Sequence, residues 1–272
     1  LCWKRVMSIV SALTIAGSDS GGGAGIQADL KTFSSRGVYG ASVITALTAQ
    51  NTQGVTMIEA VSLDMIMAQI KAVLDDIDIS AIKIGMLGSA DVIKTVARAL
   101  THYQGPIILD PVMVAKSGDR LLDNDAEQAL IEFLVPRSSI LTPNLPEAAC
   151  LVNADQAETS DQMRQQAKAL MNYGARAVLM KGGHSTAALC HDLLVQKDRE
   201  DSFTAPRLNT RNTHGTGCSL SSAIAAEIAK GKTVVDAVQV SHQWLQGALK
   251  KADKLDIGKG HGPVHHFHEF WS

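Results

Sequence analysis

Asn212-Thr213-His214-Gly215-Thr216-Gly217-Cys218 runs directly into the small-residue segment Ser219-Leu220-Ser221-Ser222-Ala223-Ile224-Ala225-Ala226-Glu227. Two glycines free the backbone where a helix should begin, so several N–H groups can converge on one point, and the helix dipole adds partial positive charge there. That arrangement suits a phosphate or an oxyanion. Cys218 falls in the first helical turn, where the same dipole favours thiolate over thiol and predicts a pKa below the free value of about 8.5. Taken in isolation, Gly-x-Gly-Cys reads equally as a glycine turn with a small buried cysteine.

Other groups of polar and glycine residues invite the same kind of question. Ala16-Gly17-Ser18-Asp19-Ser20-Gly21-Gly22-Gly23-Ala24-Gly25-Ile26-Gln27-Ala28-Asp29 reads as strand, glycine turn and helix, but the dinucleotide pattern Gly-x-Gly-x-x-Gly fails at Ile26 and no Lys-Ser/Thr pair follows to make a P-loop. Either backbone approaches a small ligand here or the glycines make a tight turn. Gln50, in Thr48-Ala49-Gln50-Asn51-Thr52-Gln53, carries the donors and acceptor needed to read a heterocycle such as an aminopyrimidine; the alternative is an amide that caps loop backbone. Asp110, before Pro111, suits a magnesium ion or its waters, or else caps a turn, and Lys116-Ser117-Gly118-Asp119 beyond it reads as a loop covering a site. Asn144 and Glu147 have the spacing of a helix cap with Pro146 near the first helical position; beside a phosphate the same pair would orient magnesium-bound water. Lys181, followed by Gly182-Gly183-His184, is a cation suited to a nucleotide phosphate.

Each of these groups needs a strand to end just before it. Short apolar, β-branched runs at 10–16, 42–48, 81–86, 106–112, 139–141 and 177–180 alternate with helical patterns at 24–35, 63–75, 90–102, 125–134 and 161–173. That is the pattern of βα units around a mostly parallel sheet, where ligands bind beyond the carboxyl ends of the strands. Gly174 is placed to close its helix. Segments 189–196 and 202–208 flank the charged turn Lys197-Asp198-Arg199-Glu200-Asp201 and predict an antiparallel hairpin at one edge of the sheet. Helices at 217–229 and 234–252 follow, and a Gly/His-rich tail from Gly258 to His268 reads as a packed or solvated terminus rather than a metal site.

With 272 residues, 46% of them hydrophobic, the chain is expected to form one soluble α/β domain over 10–272 behind a short extension, 1–9. Lys4 and Arg5 ahead of 8–16 suggest a signal peptide, but Ser8, Ser11 and Thr14 dilute the apolar run and a glycine turn follows, so a first strand is the better reading. No apolar run approaches the roughly 20 residues of a membrane span. A net charge of −2 gives no electrostatic footprint for nucleic acid or an anionic membrane. Cysteines at 2, 150, 190 and 218 show neither CxxC pairing nor zinc-ligand spacing, which predicts a reduced, cytoplasmic chain.

The order of these motifs resembles the ribokinase-like small-molecule kinases. Within them, Ala16-Gly17-Ser18-Asp19, Gly22 through Thr32, Ile44 through Thr52, Lys83-Ile84-Gly85-Met86-Leu87, Thr142 through Ala148 and His214-Gly215-Thr216-Gly217-Cys218 are similar to the hydroxymethylpyrimidine/phosphomethylpyrimidine kinases of thiamine biosynthesis, a likeness running from about Val10 to His266. The resemblance implies a three-layer fold with helices on both faces of a central sheet, ATP and Mg2+ as cofactors, and a homodimer. It implies two phosphoryl transfers, to a pyrimidine alcohol and then to its monophosphate. Gln50 would recognise the pyrimidine, with Ala24, Met86 and Val112 lining its pocket and Asp29 nearby. Lys181 and Thr216 would meet ATP phosphates, Asn144 and Glu147 would organise magnesium through water with Asp110, and Gly215, Gly217 and Cys218 would hold the transferred group. Most ribokinase-like enzymes carry an aspartate base where this chain has Cys218, so a thiolate is expected to accept the alcohol proton in the first transfer. Rival readings are a pyridoxal kinase, a thiol hydrolase or transferase using Cys218 with His214 as base, and a non-catalytic regulator.

Overall fold

The computed structural model describes residues 9–113, 124–183 and 189–271; the expected extension up to residue 8, the Lys116–Asp119 loop and His184 lie outside the described residues. In chain order the elements are β1 (Ser11–Asp19), α1 (Gly25–Ser35), β2 (Tyr39–Asn51), β3 (Gly54–Ala60), α2 (Leu63–Leu74), β4 (Ile79–Ile84), α3 (Ala90–Ala99), β5 (Ile107–Leu109), α4 (Asn124–Ala129), β6 (Ile140–Leu141), α5 (Leu145–Leu151), α6 (Ser160–Asn172), β7 (Ala177–Met180), β8 (Leu189–Gln196), β9 (Glu200–Pro206), α7 (Thr216–Ala229) and α8 (Val234–Lys250). They build one nine-stranded sheet in the order β3-β2-β1-β4-β5-β6-β7-β8-β9. From β2 to β7 neighbours run parallel, whereas β3, β8 and β9 join antiparallel at the two ends.

Alternation along the strands divides the core into two apolar layers. Leu13, Ile15, Ile82, Ile84, Ile107, Leu109, Leu141, Val178 and Met180 face α2 to α6, while Ala12, Ala81, Ile108, Ile140, Ala177 and Leu179 face α1, α7 and α8. On the α7 side the residue two places after the apolar one, at the carboxyl end of each strand, is polar: Thr14, Lys83, Asp110, Thr142 and Lys181. Because side chains repeat every second residue, these groups stand on one face in a row beneath α7. Small residues let α7 sit close over them, and almost the whole helix is buried.

Several boundaries differ from the sequence expectation. The segment Gly54–Ala60, not foreseen as a strand, pairs with β2, and its side chains are mostly exposed because it is the sheet edge. The helix at 125–134 divides into α4 and a π-helical turn, Leu130–Leu134, before a 3-10 turn that carries Pro136. The hairpin turn is tighter than expected: Gln196 N–H donates to Arg199 O at 2.8 Å, so Glu200 and Asp201 already belong to β9. There their charges lie on an edge strand, where Glu200 meets Arg164 at 2.6 Å. Gly174 takes φ +109° immediately after α6, as expected of a closing glycine.

Candidate active site

The carboxyl ends of β1, β2, β4, β5, β6 and β7 meet the start of α7. Gly215 supplies the N-cap of α7 with φ +77° and no capping side chain, and a Cβ on it would stand 1.8 Å from Gly23 O. Only glycine allows that approach, which joins the two glycine segments of the sequence into one wall. Thr216 N–H turns back to Thr213 O at 3.3 Å and Ser219 N–H opens the helical ladder at Gly215 O, 2.8 Å away. Between them, the N–H groups of Gly217 and Cys218 lie in the first turn, where helical backbone leaves donors for an anion.

Lys181 provides the charge opposite this turn. Its Nζ lies 2.8 Å from Asp110 Oδ1 and 3.9 Å from Glu147 Oε2, and a Cβ on Gly217 would stand 3.4 Å from it. Backbone fixes the side chain's origin: Lys181 N–H donates to Pro143 O at 2.8 Å, and Gly182 N–H to Asp192 Oδ1 at 2.9 Å. Burial alone would weaken the ammonium, but Asp110 and Glu147 hold its pKa above the ordinary lysine value. Burial would likewise raise Asp110, and Lys181 with Lys83 outweighs it, so that carboxyl stays ionised. Glu147 behaves differently: burial pushes it up to about 7 against the pull of Lys181.

Asn144 and Glu147 form a complete capping box on α5, with Glu147 N–H donating to Asn144 Oδ1 at 2.8 Å and Asn144 N–H to Glu147 Oε2 at 2.7 Å. The cap therefore positions Glu147 against Lys181. Among the described residues no group of three or more His, Cys, Asp or Glu side chains is placed to hold a metal. The chemistry of the donors, two carboxylates flanking one lysine at a phosphate-compatible turn, fits an ion that keeps its waters and takes phosphate oxygens rather than a protein cage.

On the β1 and β2 side, Asp19 organises the glycine turn. Its carboxylate accepts the N–H groups of Gly21, Gly23 and Ala24 at 2.8, 3.0 and 2.8 Å, and His214 Nε2 lies 2.9 Å from its Oδ2. Burial would raise Asp19, but the bonds from His214 and from the backbone hold it below the ordinary value. With Asp19 ionised, His214 Nε2 carries the hydrogen and donates it to Oδ2. The Gln50 amide nitrogen lies 3.2 Å from the same Nε2, which sets this amide beside the glycine turn. Ala24, Gln50, Met86 and Val112 are all partly exposed. Gly17 makes room for Met86, since a Cβ there would stand 2.5 Å from Met86 Cε.

Two expectations from the sequence need correction. Cys218 does not gain a low pKa from the helix dipole: burial pushes the thiol up to about 11, and Lys83 only partly opposes this. Asp29, expected near the pyrimidine, is fully buried and spends its carboxylate on Lys83, Thr14 and Ser222, so it reaches the pocket only through other residues. His214, which a thiol hydrolase would need as its base, turns its Nε2 to Asp19 Oδ2 at 2.9 Å and lies 3.2 Å from the Gln50 amide nitrogen. Asp19, Lys83, Ser221 and Ser222 were legible only as members of motifs, without a role; the signal for Lys83 was a lysine two residues beyond Ala81 on an apolar strand face.

The family model described as phosphomethylpyrimidine kinase matches residues 19–265. A hydroxymethylpyrimidine/phosphomethylpyrimidine kinase of Rhizobium meliloti is 53% identical over 260 residues, covering 96% of this chain and 98% of its own. Among solved structures, an ADP complex of Bacillus subtilis pyridoxal kinase superposes with a TM-score of 0.90 at 35% identity, covering 97% of this chain and 100% of that one. Phosphomethylpyrimidine kinase from Clostridium difficile 630 gives a TM-score of 0.79 at 42% identity, with 88% and 99% covered.

Proposed function

The chain belongs to the phosphomethylpyrimidine kinase family, and from that membership we propose that it phosphorylates 4-amino-5-hydroxymethyl-2-methylpyrimidine with ATP and then phosphorylates the monophosphate, in thiamine biosynthesis. The observation that carries this reading is the position of Lys181 against Gly217, facing the free N–H groups at the start of α7. Phosphoryl transfer asks a protein mainly for positioning and charge stabilisation, and this site supplies both.

In the first transfer the substrate hydroxyl oxygen attacks the γ-phosphorus, the bond from that phosphorus to the ADP oxygen breaks, and the hydroxyl proton passes to a base. Gly217 and Cys218 N–H groups hold the equatorial oxygens of the transferring group, and Lys181 balances their charge. Gln50 reads the aminopyrimidine edge with its side-chain amide, between Ala24, Met86 and Val112. The Cys218 thiolate is the base in this first step, and Asp110 with Glu147 would hold magnesium through water. Magnesium would supply charge neutralisation to the nucleotide phosphates. In the second transfer the attacking oxygen is an ionised phosphate and gives up no proton.

The thiols of Cys190 and Cys218 suit a reducing, cytoplasmic setting. Exposed Leu47, Met57, Ile58, Leu63 and Met65 around the β3 edge suit a homodimer. Among the described residues no helix is long and apolar enough to cross a membrane.

Steady-state assays with the pyrimidine alcohol, its monophosphate and pyridoxal test the assignment. The expected result is a kcat/KM for the alcohol at least about a hundredfold above that for pyridoxal, the discrimination a hydrogen-bonding pocket achieves against a mismatched ring. A preference for pyridoxal would overturn it.

A further inference from the structure

Beneath the proposed anion turn lies a lysine that no ligand reaches. Lys83 has none of its surface exposed, and its Nζ sits 3.0 and 2.9 Å from the two oxygens of Asp29, which is equally buried. Asp29 also accepts from Thr14 Oγ1 at 2.6 Å and from Ser222 Oγ at 2.6 Å. The pair thus ties β1, α1 and β4 to α7. A buried ion pair gains little over apolar residues of the same volume, because desolvation offsets the attraction. Packing alone therefore does not account for placing one here.

The location gives it a use. Ser222 lies one helical turn beyond Cys218, and its neighbour Ser221 has its Oγ 3.0 Å from Gly217 O, 3.1 Å from Cys218 O and 3.2 Å from Asp110 Oδ2, while Asp110 is paired with Lys181. Adjacent serines of α7 thus stand against two lysine–aspartate pairs: the outer one faces the site, and the inner one is sealed and bonds Ser222 directly. Space is kept for the inner ammonium, since a Cβ on Gly85 would stand 2.7 Å from Lys83 Nζ and 3.2 Å from Ala16 Cβ. The charged groups around Cys218 are Lys83 from β4, Asp29 from α1, and Asp110 and Lys181 from beyond β5 and β7.

We infer that Lys83 is a positioning residue for phosphoryl transfer: acting through Asp29 and Ser222, it fixes where the N–H groups of Gly217 and Cys218 converge. The inference rests on the kinase reading above. It is expected to act on kcat, since neither Lys83 nor Asp29 exposes surface to a substrate, and on both transfers, since both use the same turn.

Two variants test it. Lys83→Met/Asp29→Asn removes both charges together and leaves no buried ion unpaired; Ser222→Ala cuts only the link to α7 and keeps the ion pair. In each, kcat for both transfers is expected to fall about tenfold or more while KM for the pyrimidine alcohol stays within about twofold, the pattern of an interaction that matters in the transition state. Amide hydrogen exchange, read without substrate, is expected to accelerate in peptides covering 215–222 in both variants, in the double variant also around residues 14, 29 and 83, and to stay unchanged elsewhere. Unchanged kcat in Ser222→Ala, or exchange that accelerates evenly over the chain or not at all, overturns the inference. If the wild-type protein phosphorylates neither acceptor, the kinase reading fails by itself, and the exchange pattern still decides whether the pair positions α7.

Discussion

Cys218 is where the sequence and the structure part most clearly, because two physical effects compete at one atom. A helix dipole worth a fraction of a charge favours the thiolate, but protein atoms crowd the sulfur, and desolvation of the charged form wins, with the thiol pushed up to about 11. A sequence shows the helix start and hides the burial. The consequence is a pH dependence that separates the two transfers. A base must be deprotonated, so below about 11 the reactive fraction of Cys218 rises about tenfold per pH unit. The first transfer is therefore expected to accelerate steadily from pH 7 to 9, whereas the second, whose attacking phosphate ionises near pH 6, gains only the small rise from Glu147 ionising near 7 and then levels. Rate profiles for the two acceptors check this, and Cys218→Ser should slow the first far more than the second. Parallel profiles would remove Cys218 from the proton transfer.

Elements were legible where periodicity was strong and misjudged where tertiary context set the outcome. Ala177–Met180 and Leu63–Leu74 fall where alternation and helical period placed them. Gly54–Ala60 escaped because an edge strand exposed on both sides shows no alternation of apolar and polar residues. The site was legible in Gly215, Lys181, Asn144 and Glu147, since strand ends and caps leave local signatures. The Lys83–Asp29–Ser222 link was not, because it joins residues distant in sequence. The cap on α5 carries a prediction at this scale. Asn144→Ala removes the acceptor for Glu147 N–H and should cost about 1 kcal/mol of stability. The backbone N–H of residue 144 still holds Glu147 Oε2, but with the first turn of α5 loosened that hold near Lys181 weakens, so the magnesium concentration for half-maximal rate should rise. Thermal melts and magnesium titrations read the two effects, and a stability loss without a change in the magnesium requirement would confine the box to a structural role.

Across the whole molecule, the polar row under α7 and the apolar strip around β3 lie in different parts of one sheet, so catalysis and assembly can be probed apart. Met57 and Ile58 are 67% and 50% exposed, an unusual burden for a strand edge that nothing among the described residues covers. Met57→Glu/Ile58→Glu is expected to convert a dimer into monomers in analytical ultracentrifugation, and a wild-type protein that is already monomeric would contradict the homodimer. The central claim is that one turn, Gly215–Cys218, with Lys181 beside it, serves both phosphoryl transfers. Following ATP and the pyrimidine alcohol by phosphorus NMR, with wild type and with Lys181→Met, tests this most directly. The account predicts that the monophosphate rises and is then converted to the diphosphate by the wild type, and that Lys181→Met slows both steps by about a hundredfold or more, as loss of a charge-stabilising group does. A variant that kept either transfer at the wild-type rate would contradict it.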